Sequence, residues 1–200
     1  MNRMKDIAAW CSLAAAALLA GCGGGGSDAS ISGAVSGLGA GLSVVLVNNG
    51  GDAQTISANG NFSFDGKIAP NSGYNVTVKT QPTGQTCLVT SGSGVIDFSG
   101  ASVGNVAVTC YNNVTVGGTV TGLNAGGVVL QDNFNSADTV TVSANGGAGV
   151  NFTFPLKHAL GDSYNVTVLT QPSSQVCTVT QGQGGITAWS NITGVSVTCQ

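Results

Sequence analysis

The chain repeats one long motif almost unchanged. Residues 74–87 read YNVTVKTQPTGQTC and residues 164–177 read YNVTVLTQPSSQVC, so ten of these 14 positions are identical. Each copy is followed by a second cysteine, Cys110 in the first and Cys199 in the second. A repeat this close indicates two copies of one folding unit, so any fold proposed for one copy must also suit the other.

The composition favours strands over helices. The chain has 32 Gly, only 6% of its residues are charged, and all 8 acidic side chains are Asp. Val and Thr favour strands and Gly and Asn favour turns, whereas the helix-favouring Glu is missing from the sequence. In residues 74–78 the apolar side chains fall at every second position, the period of a half-buried strand. About seven short strands per repeat are expected, which indicates an all-β protein with a β-sandwich in each repeat.

The order of motifs within each repeat resembles a known family. The pattern G-x-V-x-G-L occurs in residues 31–38 and 116–123, followed by an apolar strand, S-A-N-G with a Phe-x-Phe pair, and G-x-Y-N-V-T-V or its near copy. This order is similar to the prealbumin-like sandwich of carboxypeptidase-regulatory and collagen-adhesin B-type repeats, over the first two thirds of each repeat. The resemblance implies two tandem Ig-like, prealbumin-like domains. The cysteine-bearing extension that follows departs from the family pattern.

The cysteines of the repeats predict disulfides. An even number of cysteines in small exported domains is typical of a disulfide framework. In each predicted strand the cysteine shares its parity with the neighbouring valines, so both members of a pair face the core. A zinc site is the alternative, but the chain has no C-x₂-C motif and only 1 His. The sequence therefore predicts one bridge within each repeat, Cys87–Cys110 and Cys177–Cys199.

The N-terminus has the features of an export signal. Arg3 and Lys5 precede an apolar stretch, residues 7–20, that is too short to span a bilayer as a stable helix. The stretch ends in Leu19-Ala20-Gly21-Cys22, which resembles the lipobox of bacterial lipoproteins, L-[AS]-[GA]-C. The resemblance implies cleavage before Cys22 and attachment of diacylglycerol to its thiol, with palmitate among the acyl chains of the lipidated cysteine. An ordinary signal peptide, with Cys22 incidental, is the alternative.

Localisation and partners follow from this resemblance. In the lipoprotein family an Asp directly after the lipidated cysteine retains the protein at the inner membrane; Gly23 stands there, which implies the outer membrane. Tandem repeats behind a lipobox also resemble those of proteobacterial lipoproteins. The net charge of −3 argues against nucleic acid as a partner. The predicted segments are a signal peptide (1–21), the lipidated cysteine with a Gly-rich tether (22–30), repeat 1 (31–110), a linker (111–115) and repeat 2 (116–199).

Residues capable of chemistry are few. His158 aligns with Ile68 of the first repeat and is expected in a surface loop. Asp132 and Asp138 lie close together on a predicted hairpin; calcium binding there is the alternative to a solvated turn, but the regular spacing of a calcium loop is missing. Trp189 is either an exposed aromatic that stacks on sugars or a packing residue. No catalytic group, metal site or cofactor is predicted.

The sequence therefore predicts a non-enzymatic, lipid-anchored protein of the cell envelope, in which two sandwiches form a structural or adhesive module. Its expected partners are the membrane, through the lipid, and an envelope protein or a glycan. The alternative is a carbohydrate- or peptide-binding lipoprotein that uses loops of repeat 2. The contact residues would then be Trp189, Phe134, Asp132 and Asp138.

Overall fold

The computed structural model describes residues 27–134 and 138–200, and within them the protein is all-β. The predicted signal peptide, Cys22 and most of the predicted tether lie outside these residues. Each repeat forms one sandwich of eight strands, against about seven expected, because two strands of only three residues, β7 and β15, were not anticipated. The strands of repeat 1 are β1 (Ala29–Ser36), β2 (Val44–Asn48), β3 (Asp52–Ile56), β4 (Gly60–Ile68), β5 (Gly73–Thr80), β6 (Gln85–Thr90), β7 (Ser93–Val95) and β8 (Val103–Asn112). Those of repeat 2 are β9 (Val114–Thr121), β10 (Gly127–Asp132), β11 (Thr139–Ser143), β12 (Val150–His158), β13 (Ser163–Thr170), β14 (Cys177–Thr180), β15 (Gln183–Gly185) and β16 (Ile192–Cys199).

The two repeats share one topology. In repeat 1 the strand orders are β4-β1-β8-β6 and β3-β2-β5-β7; in repeat 2 they are β12-β9-β16-β14 and β11-β10-β13-β15. The first strand of each repeat is antiparallel to one neighbour and parallel to the last strand of the same repeat. The two sheets of each repeat enclose a separate apolar core. The prediction of two tandem β-sandwiches is confirmed.

Both predicted disulfides are present. Cys87 and Cys110 are cross-strand partners on β6 and β8, and Cys177 and Cys199 are partners on β14 and β16. All four side chains are buried, with at most 4% of their surface exposed. The parity of the cysteines with the neighbouring valines therefore predicted their inward direction correctly.

The first glycine of the repeated G-x-V-x-G-L pattern allows a close approach of two strands. A Cβ atom on Gly33 would lie 1.9 Å from the carbonyl oxygen of Val106, and one on Gly118 would lie 1.7 Å from that of Val195. Both contacts lie between the parallel first and last strands, next to a shift in their register. Any side chain at these two positions would force the strands apart.

The glutamine of the repeated T-Q-P motif fixes the first cysteine of each bridge. The Gln81 side chain donates to the carbonyl of Cys87 and accepts from its backbone N–H, at 3.0 and 2.7 Å. Gln171 makes the same pair of bonds to Cys177, at 2.9 and 2.8 Å. The prolines that follow come after the end of β5 and β13, as expected for a residue that cannot donate to a sheet.

Some predicted boundaries and turns differ from the structure. Repeat 1 begins at Ala29, which is buried, rather than at residue 31. The predicted linker 111–115 consists of strand residues except for Asn113. The Asn-Gly dipeptides at residues 49–50 and 59–60 each predict a hairpin turn from the sequence. The first is confirmed, with φ values of 49° and 73°. The second is wrong: β3 and β4 belong to different sheets, so this turn crosses between sheets.

Candidate functional site

Asp132, Asp138 and His158 lie together at one end of the second sandwich. Asp132 is the last residue of β10, and Asp138 comes directly before β11, the antiparallel neighbour of β10. His158 is the last residue of β12, which belongs to the opposite sheet. The cluster therefore joins residues of both sheets where these strands end.

The three side chains are buried and point toward one another. Both aspartates have 0% of their surface exposed and His158 has 7%. The Nε2 atom of His158 lies 3.2 Å from Oδ2 of Asp132. One nitrogen or oxygen from each of the three residues falls within 4.8 Å of the other two. The structure thus brings together two predicted contact residues and a histidine that was not predicted to join them.

One oxygen of each carboxylate is bound to the backbone. Asp132 Oδ1 accepts from the N–H groups of Phe134 and Asn165, at 3.2 and 2.8 Å. Asp138 Oδ1 accepts from the N–H of Leu156, at 3.3 Å. The second oxygens of both carboxylates and Nε2 of His158 are buried without a hydrogen-bond partner. Asp132 Oδ2 and His158 Nε2 have only each other, as an ion pair at 3.2 Å, and Asp138 Oδ2 has no hydrogen bond. Because most buried polar atoms in proteins are hydrogen-bonded, this arrangement requires an explanation.

Burial and the neighbouring carboxylate both act against the ionised form of Asp138. Burial raises the pKa of Asp138 above the usual range of an aspartate. The charge of Asp132 raises the same pKa further, while the hydrogen bond from Leu156 and the charge of His158 oppose the rise. Desolvation of a carboxylate beside a second carboxylate disfavours its ionised form.

The predicted positions of these residues were wrong. The interpretation of Asp132 and Asp138 as a solvated turn fails because Asp132 continues the inward parity of Val128 and Leu130 along β10. The interpretation of His158 as a surface-loop residue fails because His158 is the last residue of β12 and is buried, although the exposed Leu156 lies between it and the buried Phe-x-Phe pair. A signal was available in the sequence: His158 aligns with the apolar Ile68, and a position that is apolar in one copy is expected to be buried in both.

The first repeat shows what the same positions do without the cluster. In register, Asn48, Asp52 and Ile68 occupy the places of Asp132, Asp138 and His158. Asn48 Oδ1 accepts from the N–H of Asn75, as Asp132 does from Asn165. Asp52 is partly exposed, and its Oδ2 accepts from the N–H of Gly66. The buried cluster of repeat 2 thus differs from repeat 1 by two side chains, Asn to Asp and Ile to His, and by a longer connection between the two acidic positions.

The two predicted aromatic contact residues have different surroundings. Phe134 is 67% exposed and lines a shallow depression with Leu156, Lys157 and His158, beside the cluster. Trp189 lies at the junction of the repeats, where its ring stacks on that of Tyr111. Of the two interpretations of Trp189, packing agrees with this contact, since one face of the indole is covered.

Comparisons with known proteins leave the family open. No protein-family model matches the chain, and no curated protein matches it significantly. Within residues 27–134 and 138–200 no helix has the length and apolar character needed to cross a membrane.

Several solved structures are similar to this chain at low sequence identity. A streptococcal ancillary pilin has 13% identity over 86% of this chain and 62% of its own, with a TM-score of 0.43. The TIE protein of Bacillus anthracis has 14% identity over 86% of this chain and 34% of its own, with a TM-score of 0.36. Two B repeat units of the collagen-binding protein of Staphylococcus aureus have 12% identity over 88% of this chain and 75% of their own, with a TM-score of 0.26. The chain thus spans about a third of the TIE protein and three fifths of the pilin. At these TM-scores the similarities carry no argument about function.

Proposed function

We propose that the protein is a non-enzymatic, lipid-anchored protein of the cell envelope, whose two sandwiches form one stiff structural or adhesive module. The observation that carries the proposal is the junction between the repeats. Cys110, near the end of β8, is buried in the first core, and Val114, at the start of β9, is buried in the second. Only three residues separate the two cores along the chain, which leaves little freedom between them.

The one residue between the strands is itself held in place. The N–H of Asn113 donates to the carbonyl of Gly84, at 2.9 Å, and its side-chain oxygen accepts from the hydroxyl of Thr86, at 2.8 Å. The stacked rings of Tyr111 and Trp189 add a contact across the junction. A junction fixed by strand ends, hydrogen bonds and an aromatic pair suits a module that holds a surface at a set distance from its anchor.

The anchor is proposed from the sequence. Acyl chains on Cys22 contribute about 0.8 kcal/mol per buried methylene, so several chains hold a protein at a membrane without a spanning helix. Ser27 and Asp28 are exposed, and the first buried residue is Ala29. The predicted segment 22–30 would then connect the outer membrane to the first sandwich.

Substitution of Cys22 tests the anchor. In cells grown with labelled palmitate, the wild-type protein should carry label and sediment with membranes, whereas Cys22→Ser should carry none and appear in the soluble fraction. The matched control is Cys11→Ser, in the predicted signal peptide, which should retain both label and membrane association. Equal membrane retention of Cys22→Ser and wild type would remove the lipid anchor from the proposal.

A second candidate function is binding of a peptide or glycan by the loops of repeat 2. The observation in its favour is Phe134, a large apolar side chain that is 67% exposed beside the depression next to His158. Phe134→Ala should then abolish binding on a glycan or peptide array. Phe98, in repeat 1, is 69% exposed and provides the control, since Phe98→Ala should leave such binding unchanged.

A further inference from the structure

The unpartnered atoms of the cluster in repeat 2 form a set of metal ligands. Oδ2 of Asp132, Oδ2 of Asp138 and Nε2 of His158 are each buried without a hydrogen bond, and each of the three residues offers one ligand atom within 4.8 Å of the other two. Two carboxylates taken out of water are costly unless a positive charge compensates them. No Lys or Arg forms an ion pair with either carboxylate among the described residues; only the imidazole lies within reach.

We propose that Asp132, Asp138 and His158 bind one divalent transition-metal ion, for which zinc is the natural probe. Imidazole nitrogen and carboxylate oxygen are both common zinc ligands, at about 2.0–2.2 Å, and a tetrahedral site places its ligand atoms roughly 3.4 Å apart. The 3.2 Å separation of His158 Nε2 from Asp132 Oδ2 already fits this spacing. The 4.8 Å limit on the whole set requires only a small inward movement of Asp138.

The ligand set distinguishes between kinds of ion. Calcium takes six to eight oxygen ligands, and magnesium usually keeps several waters. A site with one imidazole and two buried carboxylate oxygens instead suits an ion that accepts nitrogen and low coordination. Oδ1 of each carboxylate accepts from backbone N–H groups, which orient Oδ2 toward the ion, as outer hydrogen bonds commonly do at metal sites.

The first repeat indicates that the cluster is not required by the fold. Its equivalent positions hold Asn48, Asp52 and Ile68, and the same sandwich forms around them. The aspartate shared by both repeats accepts a backbone N–H through Oδ2 in repeat 1. In repeat 2 the corresponding Oδ2 is left without a partner. Two side-chain differences thus add metal-binding groups to a fold that is stable without them.

The position of the site gives the ion a structural role. It would connect the ends of β10 and β11, in one sheet, to the end of β12, in the other. In this respect it would act as a second cross-link of repeat 2, because its disulfide joins two strands within a single sheet. An ion can reach the site from the depression that His158 lines with Phe134 and Ser163.

Metal binding is tested on the full chain without a histidine tag, stripped with a chelator and dialysed against zinc chloride. One zinc per chain is expected in elemental analysis. The dissociation constant should be about 10 μM or tighter. The melting temperature of repeat 2 should rise by roughly 10 °C when zinc exceeds its dissociation constant a hundredfold. Cobalt in place of zinc should show a spectrum without thiolate charge-transfer bands, which excludes Cys22 as the ligand.

The decisive variant exchanges the site for its counterpart in repeat 1. The double substitution Asp132→Asn with His158→Ile should fold, since repeat 1 folds with these residues, and should bind no zinc. Asp52→Asn, in repeat 1, and Asp162→Asn, beside the depression, are controls that should each retain one zinc. The proposal would be overturned if the folded wild-type chain bound no zinc at about 1 mM, which is 100 times the expected upper limit of the dissociation constant. Equal binding by the double variant, or stoichiometric binding of calcium alone, would overturn it as well.

Discussion

Tyr111 and Trp189 stack face to face across the junction between the two repeats, with their ring centroids 4.7 Å apart and their planes 8° from parallel. Tyr111 belongs to the last strand of repeat 1, and Trp189 lies in the loop before the last strand of repeat 2. Neither ring belongs to an apolar core. The pair therefore acts on the arrangement of the sandwiches rather than on the stability of either one.

Loss of this stack should loosen the junction. An aromatic pair contributes about 0.5–1.5 kcal/mol beyond its buried area, so Tyr111→Ala should broaden the distribution of inter-repeat angles. Small-angle X-ray scattering should show a wider distribution of maximum dimensions for this variant, while the free energy of unfolding of each repeat stays within about 1 kcal/mol of wild type. Tyr111→Phe keeps the ring and should match wild type. If the scattering curves of Tyr111→Ala and wild type superimpose, the stack does not hold the junction.

A side chain at Gly118 should destabilise repeat 2. The added Cβ would lie 1.7 Å from the carbonyl oxygen of Val195, so β9 and β16 must separate. Overpacking of this kind typically costs about 1–3 kcal/mol, and here the obstacle is backbone that cannot move aside. Urea unfolding of Gly118→Ala should show the loss in repeat 2 only. Gly194→Ala is the control and should be near neutral. Gly194 lies on β16 next to Val195, but no atom would lie within 4 Å of an added Cβ.

Removal of one disulfide should weaken one repeat selectively. Cys87→Ala with Cys110→Ala opens a loop of 23 residues, which costs about 3 kcal/mol in the chain-entropy account. For a domain of this size the melting temperature should fall by roughly 10–20 °C. Calorimetry can resolve this because the transition of repeat 2 serves as an internal reference. An equal fall in both transitions would show that the repeats unfold as one unit.

The glutamine of the T-Q-P motif should prove structural. Gln171→Ala leaves the N–H and carbonyl of the buried Cys177 without their partners, at a cost of about 1–3 kcal/mol. The loss should appear in the urea unfolding of repeat 2. Ser174→Ala changes an exposed side chain in the same turn and should have no measurable effect. A neutral Gln171→Ala would mean that water replaces both bonds.

The sequence predicted best the features whose sequence pattern is regular, such as the alternation of apolar residues that both repeats share. The alternation around Cys87 and Cys110 predicted the bridge, its partner strands and its burial, because a period of two assigns every side chain of a strand to one face. The Asn49-Gly50 turn was predicted for a similar reason, since few residues accept positive φ at both positions.

The cluster of Asp132, Asp138 and His158 was missed for a physical reason. Polar residues near a turn are ordinarily solvated, and the sequence does not show that the end of β12, from the opposite sheet, covers this turn. The pairing of Tyr111 with Trp189 depends on the angle between two domains, which no local pattern encodes. Both features arise from contacts between segments that are distant in sequence.

The parallel pairing of β1 with β8, and of β9 with β16, determines how the module responds to force. The chain enters each sandwich at one end and leaves at the other, so a pull on the two ends of a repeat acts along both terminal strands in opposite directions. Such a load is shared by all the hydrogen bonds between the two strands at once, instead of opening them one after another. Each repeat is therefore built to resist stretching, and a further copy joined in the same way would lengthen the module without adding a weak link.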